Sequence, residues 1–385
     1  MQSTKSLGAI YTPNSVALSM CKSVLVDYIC GEIDCFYKSY NDLIKEEKEQ
    51  QQRSIIQNLR QIRVLDPACG DGHFLLAMLL ILEEIYLKFK KKTPSLVPYS
   101  ESEIREHIIL NNLFGVDVFP EAVKACKAKL SRMMGEKKES RELILSHFHI
   151  DLHIRTGNSV LGLYARGKPK LTDFFEKLAS SLIEKRNNLV NAYEKATGDL
   201  KNVKRRELLS KTKKWSLTFT EGLLSKEGLE IIGSKYTAEQ FNEKFKPFHW
   251  IMEFSQIFGT LKRGFDVIIG NPPYVKADSQ DEGFQEYRKI TGKLFGTFEE
   301  KWDLYIAFLE LGLRLLKPRG VLSFIISDSF STAKYASKMR RLLLSKKVLS
   351  VSFFPGIKIF QDVGIQNIII TVRNEEGNEK HQTKR

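Results

Sequence analysis

The sequence predicts an α/β protein whose doubly wound parallel sheet is interrupted by a long helical insertion. Three observations carry this. Short apolar runs at 62–65, 113–117 and 265–269 each end in a turn of Gly, Asp or Asn. Segments of helical periodicity follow the first two, at 74–87 and 121–134, and strands alternating with helices define a parallel sheet. Between about 163 and 250 that rhythm stops, and the chain becomes charged and helical in propensity.

Taken in order, residues 15–40 read as helix, and the polar Lys/Glu/Gln stretch 41–61 as an exposed helix or linker. The run 62–65 then forms a first strand that ends in Asp66-Pro67-Ala68-Cys69-Gly70-Asp71-Gly72. Leu113-Phe114-Gly115-Val116-Asp117 is a second strand, and Pro120 opens the helix behind it. A third strand is expected over 148–156, leading into Gly157-Asn158-Ser159. The insertion carries the basic runs 201–206 and 211–214, which suit a phosphate backbone or, more ordinarily, a solvated face. Sheet rhythm resumes at 265–269 and ends in Gly270-Asn271-Pro272-Pro273-Tyr274. A helix over 302–316 stops at Lys317-Pro318-Arg319-Gly320, followed by a strand at 321–326 and a basic helix at 334–347. Two last strands fall at 348–354 and 365–372, and the tail 374–385 is polar.

Composition narrows the function. A chain of 385 residues is long enough for two or three lobes. No stretch approaches the roughly 20 apolar residues that cross a bilayer, and the first dozen residues lack the apolar core of a secretory signal. A cytoplasmic protein with no membrane partner is expected. Five cysteines without a C-x-x-C pair describe neither a disulfide framework nor a thiolate zinc site. His147, His149 and His153 alternate with apolar residues as a strand does, so no metal is expected. Sixty Lys and Arg against 46 Asp and Glu leave a net charge of +14, which suits binding to nucleic-acid phosphates.

Two segments carry chemistry. The turn Gly70-Asp71-Gly72 closes the first strand and opens a helix, a place where a ligand approaches backbone N–H groups. G-x-G alone is weak, but Asp66 ends the first strand and Asp117 the second, where an acid can hold ribose hydroxyls. Together they describe a site for a nucleoside-bearing cofactor. The stronger signal is Asn271-Pro272-Pro273-Tyr274, a tetrapeptide met by chance on the order of once in several hundred chains of this length. A residue before proline is held extended, so the Asn271 carbonyl oxygen is aimed. The Pro272 carbonyl is a second acceptor on a stiff segment, and two fixed acceptors suit a planar amine with two hydrogens. Tyr274 offers a flat ring on which a heterocycle can stack.

These motifs resemble the adenine-specific DNA amino-methyltransferases with the gamma order of motifs, over nearly the whole chain except the insertion. Gly8-Ala9-Ile10-Tyr11-Thr12-Pro13 is similar to that family's cofactor-wrapping motif. The Asp66 to Phe74 segment is similar to its motif I, with Asp71 where Ser is commoner. Val116-Asp117 is similar to the acidic motif that grips the cofactor ribose, and Asn158 stands where the family more often has Asp to meet the cofactor adenine. Phe248-His249-Trp250 with Glu253-Phe254 resembles the lead-in of large restriction-modification methyltransferases, and Phe360 the aromatic that packs on a flipped base. The resemblance implies a Rossmann-like methyltransferase sheet and S-adenosylmethionine as cofactor. It assigns Tyr11, Thr12, Pro13, Asp66, Ala68, Gly70, Gly72, Asp117 and Asn158 to the cofactor. It assigns Asn271, Pro272, Pro273, Tyr274 and Phe360 to the target base.

The implied organisation is an N-terminal segment 1–61, a cofactor-binding half 62–162, the insertion 163–250, a catalytic half 251–373 and a tail 374–385. The implied activity is methylation of adenine N6 in double-stranded DNA within a restriction-modification or related defence system. In the family a recognition domain follows the last strands, so a separate specificity subunit or a missing C-terminal domain is expected to read the sequence. The same Asn-Pro-Pro-Tyr logic also serves a methyltransferase of RNA or protein glutamine. A non-catalytic DNA-binding subunit with a methyltransferase shell is the rival of another class.

Overall fold

The computed structural model describes residues 12–134, 150–164, 173–225, 235–258, 264–275, 282–299, 302–354, 359 and 366–377. Its frame is a seven-stranded sheet formed by β1 (Val64–Asp66), β2 (Leu113–Asp117), β3 (Ile154–Thr156), β4 (Phe265–Gly270), β5 (Leu316–Ser327), β6 (Lys346–Phe353) and β7 (Asn367–Glu376). The strands lie in the order β3-β2-β1-β4-β5-β7-β6. The first five run parallel, whereas β7 is antiparallel to both β5 and β6. The sheet is of the doubly wound α/β class the sequence predicts, parallel through its first five strands and mixed overall. Chain order reverses between β1 and β4, and open α/β sheets bind ligands outside the carboxyl ends of strands at such a switch point. The glycine turn leaves β1 there, and Asn271 leaves β4 beside it.

β1 and β4 are buried along their whole length, as central strands of a parallel sheet are. Alternate residues of β2 serve opposite faces. Gly115 lies against Leu75 of the helix α4 (His73–Lys92), the helix that leaves the glycine turn. Phe114, on the other face, meets Phe254 and Phe265 edge-on and stacks on His153 at 4.1 Å. α1 (Asn14–Glu32) packs along α4 and reaches β4 and β5.

Several elements depart from the sequence reading. α1 ends at Glu32, and a short α2 (Tyr40–Ile44) follows. The polar stretch read as exposed helix or linker is α3 (Glu49–Gln61), which buries Gln52, Ile55, Ile56 and Leu59. β3 keeps only Ile154–Thr156, because 150–153 are helical. β5 begins at Leu316, through the Lys-Pro-Arg-Gly segment read as a turn. It crosses that segment with Arg319 at φ +64, where the pairing with β4 shifts register. Between α5 (Glu101–His107) and the late strands come α6 (Pro120–Met133), α7 (Asp173–Lys195), α8 (Gly198–Leu224), α9 (Ala238–Phe245), α10 (Glu282–Leu294) and α11 (Tyr305–Leu315). The basic helix is the shorter α12 (Ser337–Leu344). No helix among the described residues is long and apolar enough to cross a membrane.

Candidate active site

The turn after β1 is built on two carboxylates. Asp66 is 1% exposed, and its Oδ1 accepts the Ala68 N–H at 3.0 Å. Asp117 accepts from Gly70 N through Oδ2 and from Phe119 N through Oδ1, both at 2.9 Å, so the end of β2 is tied to the turn. Gly70 at φ +52 and Gly72 at φ +95 adopt backbone that other residues rarely take. A Cβ on Gly70 would meet nothing within 4 Å, so the turn is open above it, whereas one on Gly72 would strike Cys126 Sγ. Gly72 caps α4 without a side chain, which leaves the first-turn N–H groups of that helix uncapped by protein side chains. Asp71, in the place of the commoner Ser, binds His73 Nδ1 at 2.7 Å and Lys129 Nζ at 2.6 Å, joining the turn to α6.

Burial is the main electrostatic fact here. It pushes the Asp66 carboxyl up to about 8, against the hydrogen bond from Ala68 and with a contribution from nearby Asp117. Burial raises Asp117 as well. Among the described residues Asp66 has no ion-pair partner, so the site holds a buried acid whose natural complement is a cation. S-adenosylmethionine, the cofactor implied by the sequence, carries a sulfonium and an ammonium. An open glycine turn, an uncapped helix start and a buried acid fit such a ligand.

The Asn-Pro-Pro-Tyr corner sits against this turn. A Cβ on Gly270 would lie 2.6 Å from Asp66 Oδ1, so the end of β4 and the acid are in direct apposition. Asn271 is half-buried, Pro272 buried and Pro273 half-buried. The Tyr274 hydroxyl is 2.7 Å from Asn271 Oδ1 and 2.9 Å from Ile325 O, while Asn367 Nδ2 donates to it at 3.4 Å. Its ring is 9% exposed and meets Tyr305 edge-on. The sequence reading expected an open stacking face on Tyr274. The structure instead turns the ring inward, because Ile325 and Asn367 offer its hydroxyl partners in the sheet. Behind the corner, Val275 N donates to Asp303 Oδ1 at 3.0 Å and Leu304 N to Val275 O at 3.2 Å.

Asn158 lies at the edge of the same region. Its Oδ1 accepts from Val160 N and from the Tyr287 hydroxyl, both at 3.3 Å, and its N–H donates to Lys246 O. Ser159 Oγ donates to Pro67 O at 2.6 Å, which binds this loop to the β1 turn. Thr12 is buried and the Pro13 carbonyl starts α1, accepting from Val16 and Ala17. Tyr11 and Phe360, assigned to the cofactor and the base from the sequence, lie outside the described residues, as do His147 and His149.

The Phe248-His249-Trp250 lead-in clamps the Asn158 loop. Trp250 Nε1 donates to Ser159 O, and Leu163 N donates to His249 Nδ1. That leaves the proton on His249 Nε2, which faces Thr220 Oγ1 at 2.9 Å. Full burial pushes this imidazole down to about 3, so it is neutral. Sequence reasoning missed Asp303 and Asn367. Asp303 looks like an ordinary helix-start acid beside Trp302, and no local signal marks Asn367 as a partner of Tyr274.

The profile of the Eco57I restriction-modification methylase family matches residues 111–360. The chain belongs to that family. It is 27% identical, over 96% of its length, to a protein named as a type II restriction enzyme and methyltransferase from Methanocaldococcus jannaschii, of which it spans 36%. It is 21% identical over 80% of its length to the adenine-specific methyltransferase PglX of Lacticaseibacillus casei, of which it spans 23%. Among solved structures, the type IIL restriction-modification enzyme MmeI in complex with DNA aligns with 99% of this chain and 40% of its own, at 14% identity and a TM-score of 0.49.

Proposed function

We propose that this chain is the catalytic part of a DNA methyltransferase that modifies the N6 amine of adenine in a restriction-modification or related defence system. One observation carries the reading: the Asn271 corner abuts the Asp66 turn at the switch point of a family methylase sheet. The relatives' names as type II methyltransferases and an adenine-specific methyltransferase support the substrate. Double-stranded DNA is the proposed partner, read by a specificity subunit or a recognition domain beyond this chain, in the cytoplasm.

S-adenosylmethionine, when bound, supplies a methyl group on a positively charged sulfur. Asp66 would hold the cationic end of that ligand, the Gly70 turn would admit it to backbone N–H groups, and Asp117 would take the ribose hydroxyls. The target adenine leaves the duplex at a cost of a few kcal/mol. Asn271 Oδ1 and the Pro272 carbonyl accept the two hydrogens of its amine, which draws the nitrogen lone pair out of conjugation and toward the methyl carbon. The Asn271 oxygen has two lone pairs, so it takes an amine hydrogen while the Tyr274 hydroxyl still orients it. These residues would hold the amine in line with that methyl group, and the surplus amine proton would leave to water. Alignment is the main requirement. Phe360 is assigned to pack on the extruded base.

Tritiated S-adenosylmethionine offered with duplex DNA, RNA or a release-factor-type protein tests this. Label in DNA, recovered as N6-methyladenine after digestion and abolished by Asn271→Ala with cofactor binding intact, is the expected result. Label in RNA or protein, or none in DNA with any recognition partner supplied, overturns it.

A further inference from the structure

Between the insertion helices α7, α8 and α9 and the β3 edge lies a cavity of about 440 Å³, within the usual range for small-molecule sites. Its described lining contains four cationic side chains, Arg155, Arg186, Lys213 and Lys246, and one carboxylate, Glu253. That carboxylate is already engaged, since Arg155 Nη2 donates to it at 2.6 Å. Arg186 is 2% exposed; its Nη1 donates to Ser255 Oγ at 2.8 Å, but its Nε has no hydrogen-bond partner. Thr212, 6% exposed, leaves its Oγ1 without a partner too. A guanidinium N–H and a hydroxyl without partners, on two buried residues that line one cavity, are costly unless a small shift lets something in the cavity meet them. The ligand that does so is an anion, because cations outnumber carboxylates in the lining. Leu152, Leu208 and Leu209 supply apolar walls beside the cations, so one part of the ligand is apolar.

We propose that this cavity binds a nucleoside phosphate, with the phosphate on Arg186, Thr212 and Lys213 and the base against the leucines. Arg and Lys with a hydroxyl form a usual phosphate donor set. The phosphate comes from a free nucleotide or from a nucleotide of a nucleic-acid strand. None of the lining residues belongs to the Asn271 corner or the glycine turn, but Lys246 also holds the Asn158 loop, so the test includes competition by S-adenosylhomocysteine.

Titration calorimetry on the whole chain tests it, with adenosine, AMP, inorganic phosphate and a twelve-base-pair duplex as probes, each with and without saturating S-adenosylhomocysteine. AMP is expected to bind saturably, at least tenfold more tightly than adenosine and undisturbed by S-adenosylhomocysteine. Lys213→Glu, at an exposed position of α8 and outside the transfer site, is expected to weaken it at least tenfold. Arg186→Met does the same, and the Lys213 variant keeps the test valid where the buried change unfolds the chain. Duplex binding that Lys213→Glu weakens tenfold while AMP gives no heat assigns the same phosphate cluster to a strand. No binding by AMP or duplex, equal affinity for adenosine and AMP, or displacement of AMP by S-adenosylhomocysteine overturns the proposal.

Discussion

The Tyr274 hydroxyl lies 2.7 Å from Asn271 Oδ1 and 2.9 Å from Ile325 O, and a phenol has one proton for the two acceptors. One position of that proton orients the Asn271 oxygen; the other anchors the tyrosine to β5. Asn367, donating to the same hydroxyl from β7, holds the oxygen in place for either.

Tyr274→Phe keeps the ring and removes this tie. A net hydrogen bond is worth about 1 kcal/mol, so we expect kcat to fall about fivefold while KM for DNA and cofactor stays put. Steady-state kinetics read this directly. An unchanged kcat would show that the hydroxyl does not position Asn271.

Asp303 holds the corner from behind through the Val275 N–H. Asp303→Ala leaves that buried donor unmet, at about 1–3 kcal/mol, and is expected to lower both the midpoint of denaturant unfolding and kcat. Asp303→Asn retains an acceptor oxygen and should recover most of the loss. If the two variants behave alike, the carboxylate charge rather than the hydrogen bond is what matters there.

Much of the frame was legible because it depends on local pattern. β2 lies where its apolar run and closing Asp117 put it, and the glycine turn and Asn271 sit at strand ends as their residue types demand. What was missed depends on partners distant in sequence. Ile55, Ile56 and Leu59 carry a buried stripe, but the Gln and Glu around them hid it. Arg319 and Gly320 look like a stop, yet β4 pairing carries β5 through them. The antiparallel direction of β7 has no local signature at all. The inward turn of Tyr274 needs Ile325 and Asn367, brought together only when β5 and β7 pair through Ile326 and Ile368.

The contact between Gly270 and Asp66 predicts a sharp contrast between two glycines. Gly270→Ala would place a methyl 2.6 Å from Asp66 Oδ1, and overpacking of this kind costs about 1–3 kcal/mol. It should also push the acid away from the cofactor, so affinity and stability fall together. Gly70→Ala meets no atom within 4 Å and bears only the left-handed backbone strain of about 1–2 kcal/mol. Thermal melts with and without S-adenosylhomocysteine distinguish the two. The shift on ligand addition should shrink more in the Gly270 variant, and equal shrinkage would mean that the apposition is not what limits binding.

The raised Asp66 carboxyl makes cofactor binding dependent on pH with a definite sign. Its ordinary value is 3.8, and burial lifts it to about 8 in the free protein. The proton is then held more tightly folded than unfolded, so the Asp66 contribution to stability is full below about pH 4. It is lost as pH rises through about 8. A cation bound beside the carboxyl favours the ionised form, so binding S-adenosylmethionine expels the proton. Affinity should therefore rise with pH across the neutral range and level off above about 8. Calorimetry in buffers of different ionisation heat should show proton release near pH 7 that vanishes above pH 9. Asp66→Asn keeps the acceptor for Ala68 but has no proton to lose; it should bind more weakly, with affinity flat over the same range. A wild-type affinity independent of pH, or one that falls as pH rises, would mean that Asp66 does not face the cationic part of the cofactor.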